Sequence, residues 1–431
     1  MSKPFRIYEF AAIINSIVPK EKIIVAGKYL FLAGVALLIV RNNSYPFFIK
    51  RSSDILFALS AITALYVLFR FRTGYENFIK NKNIIIALLL ICSGLIAASL
   101  SGYFFDGTSF TKEGILNVGR FSEVFLIIFL VSFFQSFDES FYKKAALAQL
   151  STLAYLPTLF FPHADFIRAM HYRFDLFENW PSNVGYYLIP SFILMAVFLL
   201  KKAGSGKKIF ALTFAATIGL SAILLWTQTR AAWLGLAASF LLFLFLIKPG
   251  FKKAAAAAAI AAVIFMAGFS ILKFQPRVKD MVVSRVIPAS NSPEFFNSDT
   301  KELAGKPVSG LFSEPYRINL WKIYSDKLAA NPLGLGVNYE PVNVGQGPQG
   351  PHNTILEFLV LAGPLGLAGF IWLIFSALKN VFIKIKNAAF ENRLWFAYLF
   401  SSLAGLLVAS MFDNMSLFHL SWLILGMALF I

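Results

Sequence analysis

The sequence is poor in charge, in cysteine and in histidine, and each shortage excludes a class of protein or site. Only 14% of the 431 residues are charged, whereas a soluble domain carries about 25%, so an ordinary water-soluble enzyme is excluded. The single cysteine, Cys92, excludes an intramolecular disulfide. One cysteine and four histidines argue against a zinc site built from these residues. The sequence also has no Walker-type or glycine-rich nucleotide loop.

Apolar residues, in contrast, make up 58% of the chain, and the mean hydropathy is +0.68. This composition excludes disorder and is typical of an all-α polytopic membrane protein. A membrane-spanning helix needs about 20 apolar residues, and twelve segments qualify. They are residues 23–40, 54–69, 84–101, 115–135, 145–162, 184–200, 209–226, 231–247, 254–272, 354–377, 394–411 and 416–431.

Lysine and arginine predict the orientation, because cytoplasmic loops carry an excess of both. One set of alternate short loops, with the N-terminal segment, holds 21 of them, and the opposite set holds 7. The richer set is therefore expected to be cytoplasmic, together with both termini. The net charge of +17 then reflects topology, and no nucleic acid partner is expected.

A long loop at residues 274–351 separates nine predicted spans in 1–273 from three in 352–431, within one integral membrane domain. This loop lies on the outer side and is nearly neutral, with eight Lys or Arg and seven Asp or Glu. Loops of this length are usually functional or disordered. Ser313-Glu314-Pro315 predicts the start of a helix and Asn331-Pro332 its end. The spacing of Arg317, Trp321, Tyr324 and Leu328 puts them on one face of that helix.

Three cationic side chains lie at the predicted outer boundary, and each has a structural alternative. Arg230 follows a very short connection and could be an anchor that reaches the interface. Arg317 could form a salt bridge with Glu314, one turn earlier. His352 or Asn353 could cap the tenth span, because Asn is a good helix N-cap.

Two further arginines belong to the same side. Arg120 and Glu123 lie within the fourth span and three residues apart, where ionisable groups are candidates for function; a mutual ion pair is the structural alternative. Arg173 precedes the sixth span. The topology thus gathers Arg120, Arg173, Arg230, Arg317 and His352 at one interface. Arginine binds phosphate oxygens with paired hydrogen bonds, and histidine exchanges a proton near neutral pH, so this set suits a diphosphate leaving group and an attacking hydroxyl.

At this point the sequence resembles the O-antigen ligase and O-antigen polymerase superfamily of bacterial envelope glycan transferases. His352-Asn353, nine residues, and then Gly363-Pro364-Leu365-Gly366 match the ligase pattern H-[NSQ]-x9-G-x-x-G at every fixed position. Thr229-Arg230-Ala231 is similar to the family's S/T-R-G/A step. Arg317 with Trp321, followed by residues 331–336 (NPLGLG), resembles R-x3-W … P-L-x-G-x-G of the large outer loop.

A fourth motif of the family, R-x-x-G-x-F-x-N-P-N, is matched less fully. Arg173 and Asn183 fit it, but Leu176 stands where glycine is expected, and Ser182 separates Pro181 from Asn183. The four motifs follow in the family's order over about residues 170–375.

The resemblance implies a GT-C-like, inverting glycosyltransferase of the inner membrane, whose active site faces the periplasm and which needs no metal and no other cofactor. The donor would be a glycan on undecaprenyl diphosphate. Arg230 and Arg317 would clamp the diphosphate, and His352 would orient or deprotonate the acceptor hydroxyl, so these three are the predicted catalytic residues. The predicted substrate-binding residues are Arg120, Arg173, Asn353 and Trp321.

The acceptor separates the alternatives. For the favoured ligase it would be a sugar of lipid A–core, and for a polymerase it would be a second polyprenyl-linked repeat unit. A flippase of lipid-linked glycans is a more remote alternative. It should carry charges near the midplane of several spans, whereas Lys28 is the clearest deep charge here.

Overall fold

The structure, a computed structural model, describes residues 19–38, 52–106, 112–151, 181–202, 207–227, 229–248, 262–263, 266–267, 270, 315–339, 341–343, 348–413 and 418–431. This part of the chain is built almost entirely of helices. In chain order they are α1 (Lys20–Ala36), α2 (Ser52–Phe71), α3 (Glu76–Lys80), α4 (Lys82–Asp106), α5 (Lys112–Phe137), α6 (Phe141–Ser151), α7 (Pro181–Lys202), α8 (Lys207–Thr227), α9 (Arg230–Ile247), α10 (Pro315–Ala330), α11 (Thr354–Asn387), α12 (Phe390–Ser410) and α13 (His419–Phe430). Two short antiparallel strands, β1 (Val342–Asn343) and β2 (Pro348–Gln349), form a hairpin between α10 and α11.

The helices fit a polytopic membrane protein, as the composition predicts. Seven of the described helices are long and apolar enough to cross a membrane: α2, α4, α5, α7, α9, α11 and α12. Within α8 and α13, residues Thr213–Leu225 and His419–Phe430 form shorter apolar helices. The segments predicted at 145–162 and 254–272 lie largely outside the described residues, so the count of twelve stays a prediction.

Large apolar side chains cover the outside of several of these helices. Phe69 is 77% exposed, Phe104 73%, Phe245 68% and Phe375 64%. Aromatic rings of this size exposed along apolar helices would be costly in water. A surrounding lipid phase removes that cost, which agrees with a membrane-embedded bundle.

Small residues allow pairs of helices to approach closely. On α9, a Cβ atom at Gly235 would come within 2.6 Å of the Gly405 carbonyl oxygen of α12. On α4, a Cβ atom at Gly94 would meet the backbone of α11 at Ala362 and Gly366. Small residues at such crossings are the usual basis of tight helix packing in a membrane.

A kink in α11 explains the glycine-proline motif that follows His352. Gly363 has φ 60° and ψ −169°, a conformation that is essentially restricted to glycine. Pro364 has no N–H, so the carbonyl of Val360, four residues earlier, loses its helical partner. That carbonyl instead accepts hydrogen bonds from Leu335 N (2.7 Å) and Gly336 N (3.1 Å). The kink therefore provides the docking point for the loop that follows α10.

The docked loop, residues 331–336, also contacts the end of α4. Gly336 has φ 80°, and a Cβ atom there would lie 2.5 Å from Ser99 Cα. The next residue, Val337, donates its N–H to Ser99 Oγ at 3.3 Å. The loop is thus held between α4 and α11, and it fixes the position of α10 above the start of α11.

Candidate active site

Asp413, in the connection that follows α12, joins three chain segments at one end of the bundle. Its Oδ1 lies 3.2 Å from His352 Nδ1, and its Oδ2 accepts a hydrogen bond of 2.6 Å from the hydroxyl of Tyr186 on α7. Its backbone carbonyl accepts a third, from Thr354 Oγ1 at 3.0 Å. Four-fifths of the Asp413 side chain is buried, with 19% exposed. The sequence prediction missed this residue, which the structure makes the centre of the site.

The contact with Asp413 determines how the His352 ring is used. With Asp413 ionised, its carboxylate only accepts hydrogen bonds, so Nδ1 would carry the hydrogen and Nε2 would be the nitrogen that accepts a proton. A histidine held by a carboxylate in this way has the arrangement of a general base. The side chain is 24% exposed, so the ring is partly open to the surface of the protein.

The backbone of His352 is held in an unusual conformation from both sides. Its φ is 47°, which for a residue other than glycine costs about 1–3 kcal/mol and persists only where the surroundings impose it. On one side, Trp321 Nε1 donates to the carbonyl of Pro351 at 2.8 Å. On the other, Asn353 is the N-cap of α11 and accepts from Leu356 N at 3.0 Å. These contacts hold the backbone on both sides of His352.

Asn353 has a structural role that agrees with the capping alternative. Besides capping α11, it donates from Nδ2 to the carbonyl of Met411 at 3.0 Å. It thereby ties the start of α11 to the end of α12, next to Asp413. Its predicted contact with substrate stays a prediction.

Arg230 is the first residue of α9 and lies beside the same junction. The start of α9 packs on Gly185 of α7, where a Cβ atom would come within 2.8 Å of Ala232 Cβ and 3.3 Å of Thr229 Cβ. Gly185 immediately precedes Tyr186, which holds Asp413. A helix N-terminus favours negative charge, so a half-buried arginine there adds a second favourable interaction for an anion.

Arg317 and Trp321 lie on α10, whose predicted bounds the structure confirms. Trp321 contacts the residue before His352, and Arg317 lies one helical turn away on the same face of α10. Tyr324, one turn in the other direction, is fully buried, and its hydroxyl accepts from Val342 N at 3.2 Å. The helix is thus fixed by Trp321, Tyr324 and the docked loop, with Arg317 on the turn nearest its start. Glu314, the alternative partner of Arg317, lies outside the described residues.

Arg120 and Glu123 of α5 have different partners. Arg120 is exposed and lies 3.5 Å from Asn117 Oδ1, whereas Glu123 Oε2 lies 2.8 Å from Nε2 of the buried His419 on α13. Asn117 in turn donates to the Val337 carbonyl at 3.0 Å. The first half of α5 therefore borders the docked loop, and Arg120 lies beside it.

Tyr339 and the buried Glu357 complete this border. Burial, together with the negative charge of Glu357, raises the pKa of Tyr339 well above its usual range, while Arg120 opposes the shift. Glu357 is 8% exposed and lies in the first turn of α11. Neither Tyr339 nor Glu357 was found from the sequence, although an acid inside a predicted span is a recognisable signal.

A small apolar cavity of about 20 Å³ lies between α11, α12 and α13. Thr354 and Ser410 line it at the end where Asp413 lies, and Phe370, Leu407 and Leu425 are among the apolar residues that line it. A volume of this size holds about one water molecule, so the cavity is too small for a lipid chain.

The predicted residues therefore fall into groups by position. The structure brings His352, Arg230, Arg317 and Trp321 to segments that border the contacts of Asp413 with α7 and the start of α11. Arg120 lies at the edge of this region. Arg173 lies outside the described residues.

One comparison with known proteins finds a match for part of the chain. A family described as O-antigen ligase matches residues 215–371, which confirms the resemblance to the O-antigen ligase and polymerase superfamily. The matched stretch contains Arg230, Arg317, Trp321 and His352, whereas Tyr186 and Asp413 lie outside it. A search of the curated proteins finds no match for the chain.

Proposed function

We propose that this protein is an O-antigen ligase: an inverting, metal-independent membrane glycosyltransferase that moves a glycan from undecaprenyl diphosphate to a sugar of lipid A–core. Members of the matched family are membrane glycosyltransferase-like enzymes, and the donor, the acceptor and the periplasmic side are parts of the proposal. The observation that carries it is the His352–Asp413 pair, which borders two arginine-bearing helices inside the matched family region.

In the proposed reaction the anomeric carbon of the donor glycan exchanges one oxygen for another. The acceptor hydroxyl attacks that carbon, and its proton passes to Nε2 of His352 while Asp413 stabilises the imidazolium through Nδ1. The bond between the anomeric carbon and the diphosphate oxygen breaks on the opposite face, which inverts the configuration. The electron pair leaves with the diphosphate.

Arg230 and Arg317 would stabilise that leaving group. Guanidinium groups pair with phosphate oxygens through two parallel hydrogen bonds and keep their charge. One preorganised donor of this kind is often worth about 2.7–4 kcal/mol in the transition state. The start of α9 adds the partial positive charge of its N-terminus.

The polyprenyl chain of the donor would remain in the lipid around the apolar helices, with its diphosphate at the end of the bundle where Arg230 and His352 lie. Arg120 and Arg173 would contact phosphate or glycan at the edge of the site.

The test is a transfer assay with purified protein in detergent, polyprenyl-diphosphate glycan as donor, and either lipid A–core or no further acceptor. Wild type is compared with His352→Ala and Arg230→Ala. Arg70→Ala is the matched control, because Arg70 is an exposed arginine in the last turn of α2. We expect product only with lipid A–core. We also expect losses of about 10²–10⁴-fold in His352→Ala and about 10²–10³-fold in Arg230→Ala, with Arg70→Ala active.

The same assay distinguishes the alternatives. Glycan ladders that lengthen without lipid A–core would identify a polymerase. Wild-type rates in both site variants, with unchanged thermal unfolding, would overturn the site assignment.

A further inference from the structure

The opposite end of the bundle carries a second cationic site, where the start of α6, the end of α7 and the start of α12 meet. Lys143 of α6 and Lys201 of α7 both lie over the ring of Trp395 on α12. Their Nζ atoms are 6.0 Å and 5.7 Å from its centroid. Trp395 is almost fully buried, with 5% exposed. Three helices thus bring two ammonium groups to one indole ring.

Among the described residues, the only carboxylate near the two ammonium groups is Glu391, which balances them weakly. Glu391 lies 3.6 Å from Lys201 Nζ, but its side chain is 81% exposed. A carboxylate this exposed contributes little net attraction. Burial, followed by the positive charge of Lys201, lowers the pKa of Lys143, with Glu391 opposing the shift. The two lysines therefore repel each other and share one weak counter-charge.

The hydrogen-bonding capacity of the two ammonium groups also exceeds what the protein uses. Each lysine has three N–H donors. Lys143 donates to Asn392 Oδ1 at 3.0 Å. For Lys201, the described residues show the ion pair with Glu391 at a distance beyond a good hydrogen bond. A ligand with several acceptor oxygens and a negative charge would satisfy both groups.

We propose that Lys143 and Lys201 bind the phosphate of an anionic phospholipid headgroup, with Trp395 beneath it. Tryptophan and lysine are the residues that anchor helices at the level of lipid headgroups, and basic pockets between helices bind anionic headgroups. The lysine and arginine count predicts that this end faces the cytoplasm, where anionic lipids attract basic groups. The proposal is independent of the transfer reaction, since the site lies at the other end of the bundle from His352.

The nearby Lys28–Asp138–Lys144 cluster shows why Lys143 and not its neighbour is assigned. Lys28 and Lys144 both pair with Asp138, so each has a carboxylate that is only 15% exposed. Lys143, next to Lys144 in the sequence, points to the opposite group of helices and has no such partner among the described residues.

The test is thermal unfolding of the purified protein in detergent with three additives: phosphatidylglycerol, phosphatidylcholine and inorganic phosphate. We expect phosphatidylglycerol to raise the unfolding temperature in a saturable way and the other two to have little effect. An equal shift with phosphatidylcholine would overturn the requirement for negative charge. An equal shift with inorganic phosphate would overturn the lipid assignment in favour of a free phosphate site.

Lys143→Gln and Lys201→Gln locate the effect. Each is expected to weaken the apparent affinity for phosphatidylglycerol about fivefold, and the double variant to abolish the shift. Lys384→Gln is the matched control, because Lys384 is exposed in the last turn of α11. An unchanged phosphatidylglycerol shift in the double variant would overturn the proposal. Native mass spectrometry of the wild type, expected to show bound phosphatidylglycerol whose occupancy is reduced in the single variants, is a readout that does not depend on the double variant folding.

Discussion

Both ends of the helix bundle hold a carboxylate between groups from other segments, but the partners differ in kind. Asp413 is held by the hydroxyl of Tyr186 and the imidazole of His352. Asp138, between α5 and α6, is held by Lys28 of α1 at 3.0 Å and by a second lysine and a serine nearby. One carboxylate therefore contacts groups that can exchange or share a proton, and the other is surrounded by fixed positive charge.

This difference distinguishes the candidate active site at Asp413 from the Asp138 cluster, whose contacts are those of a structural ion pair. At Asp138, burial disfavours the charged form, yet hydrogen bonds from Lys144, Ser140 and Lys28 lower the pKa of its carboxyl well below the usual range. No proton is exchanged there near neutral pH. At Asp413, a hydrogen bond from Nδ1 of His352 would leave Nε2 as the proton acceptor, and this contact orients the ring.

Replacing each carboxylate by an amide is expected to give the largest difference in transfer rate between the two ends. In Asp413→Asn the amide can donate to Nδ1 of His352 and so favour the wrong tautomer. We expect the rate of glycan transfer to fall about 10²-fold or more, on the scale of a general base. The measurement is the transfer rate in the detergent assay described above. Asp138→Asn, the same change at the other end, should leave that rate within about twofold.

Equal rates for wild type and Asp413→Asn, with both folded, would mean that Asp413 only supports the structure. Equal losses in both amide variants would mean that the two ends differ in chemistry less than their partners indicate.

The local parts of this architecture could be predicted from the sequence. The start and end signals around α10 predicted its bounds to within about two residues, because capping and proline act over a few positions. The apolar runs likewise predicted the seven described helices that are long and apolar enough to cross a membrane. Arg317, Trp321 and His352 were identified by motif, and the structure brings their segments together.

Asp413 could not be found in the same way, because its importance comes from long-range contacts. It lies 61 positions from His352 and 227 from Tyr186. The orientation count considered only lysine and arginine, so an acid in the short connection between the last two predicted spans gave no signal. The contact of Val360 with Leu335 and Gly336 is a second example. The sequence shows the motif at residues 331–336 and the Gly363-Pro364 motif, but the hydrogen bonds that join their segments form only in the folded chain.

A substitution at the kink in α11 tests how far the candidate active site depends on the contact between Val360 and the docked loop. In Gly363→Ala, the new Cβ atom would meet the carbonyl of Leu333, and the backbone conformation is unfavourable for any residue with a side chain. We expect the docked loop and α10 to shift, and with them Arg317. The transfer rate should fall about tenfold, because small misplacement of positioning groups is costly, and the unfolding temperature should fall too.

Gly219→Ala is the matched control for this change. Gly219 lies in α8, and a Cβ atom there would meet nothing within 4 Å. This variant should keep the transfer rate and gain slightly in stability, since alanine is favoured over glycine in a helix by about 0.5–1 kcal/mol. A wild-type rate in Gly363→Ala would show that the loop tolerates displacement.

The smallest expected effect is at Asp138, and it appears in stability and its pH dependence rather than in catalysis. A carboxyl whose pKa is lower in the folded state than in the unfolded chain stabilises the fold above the unfolded pKa, and this contribution is lost as the pH falls through the folded value. Asp138→Asn should therefore unfold a few degrees below wild type at pH 7 and above about pH 5. The gap should narrow progressively below about pH 4, because only the wild type loses this contribution on acidification. Thermal unfolding of both proteins between pH 2 and 7 measures the gap, and a gap that stays constant over this range would show that the lysines do not hold Asp138 through its charge.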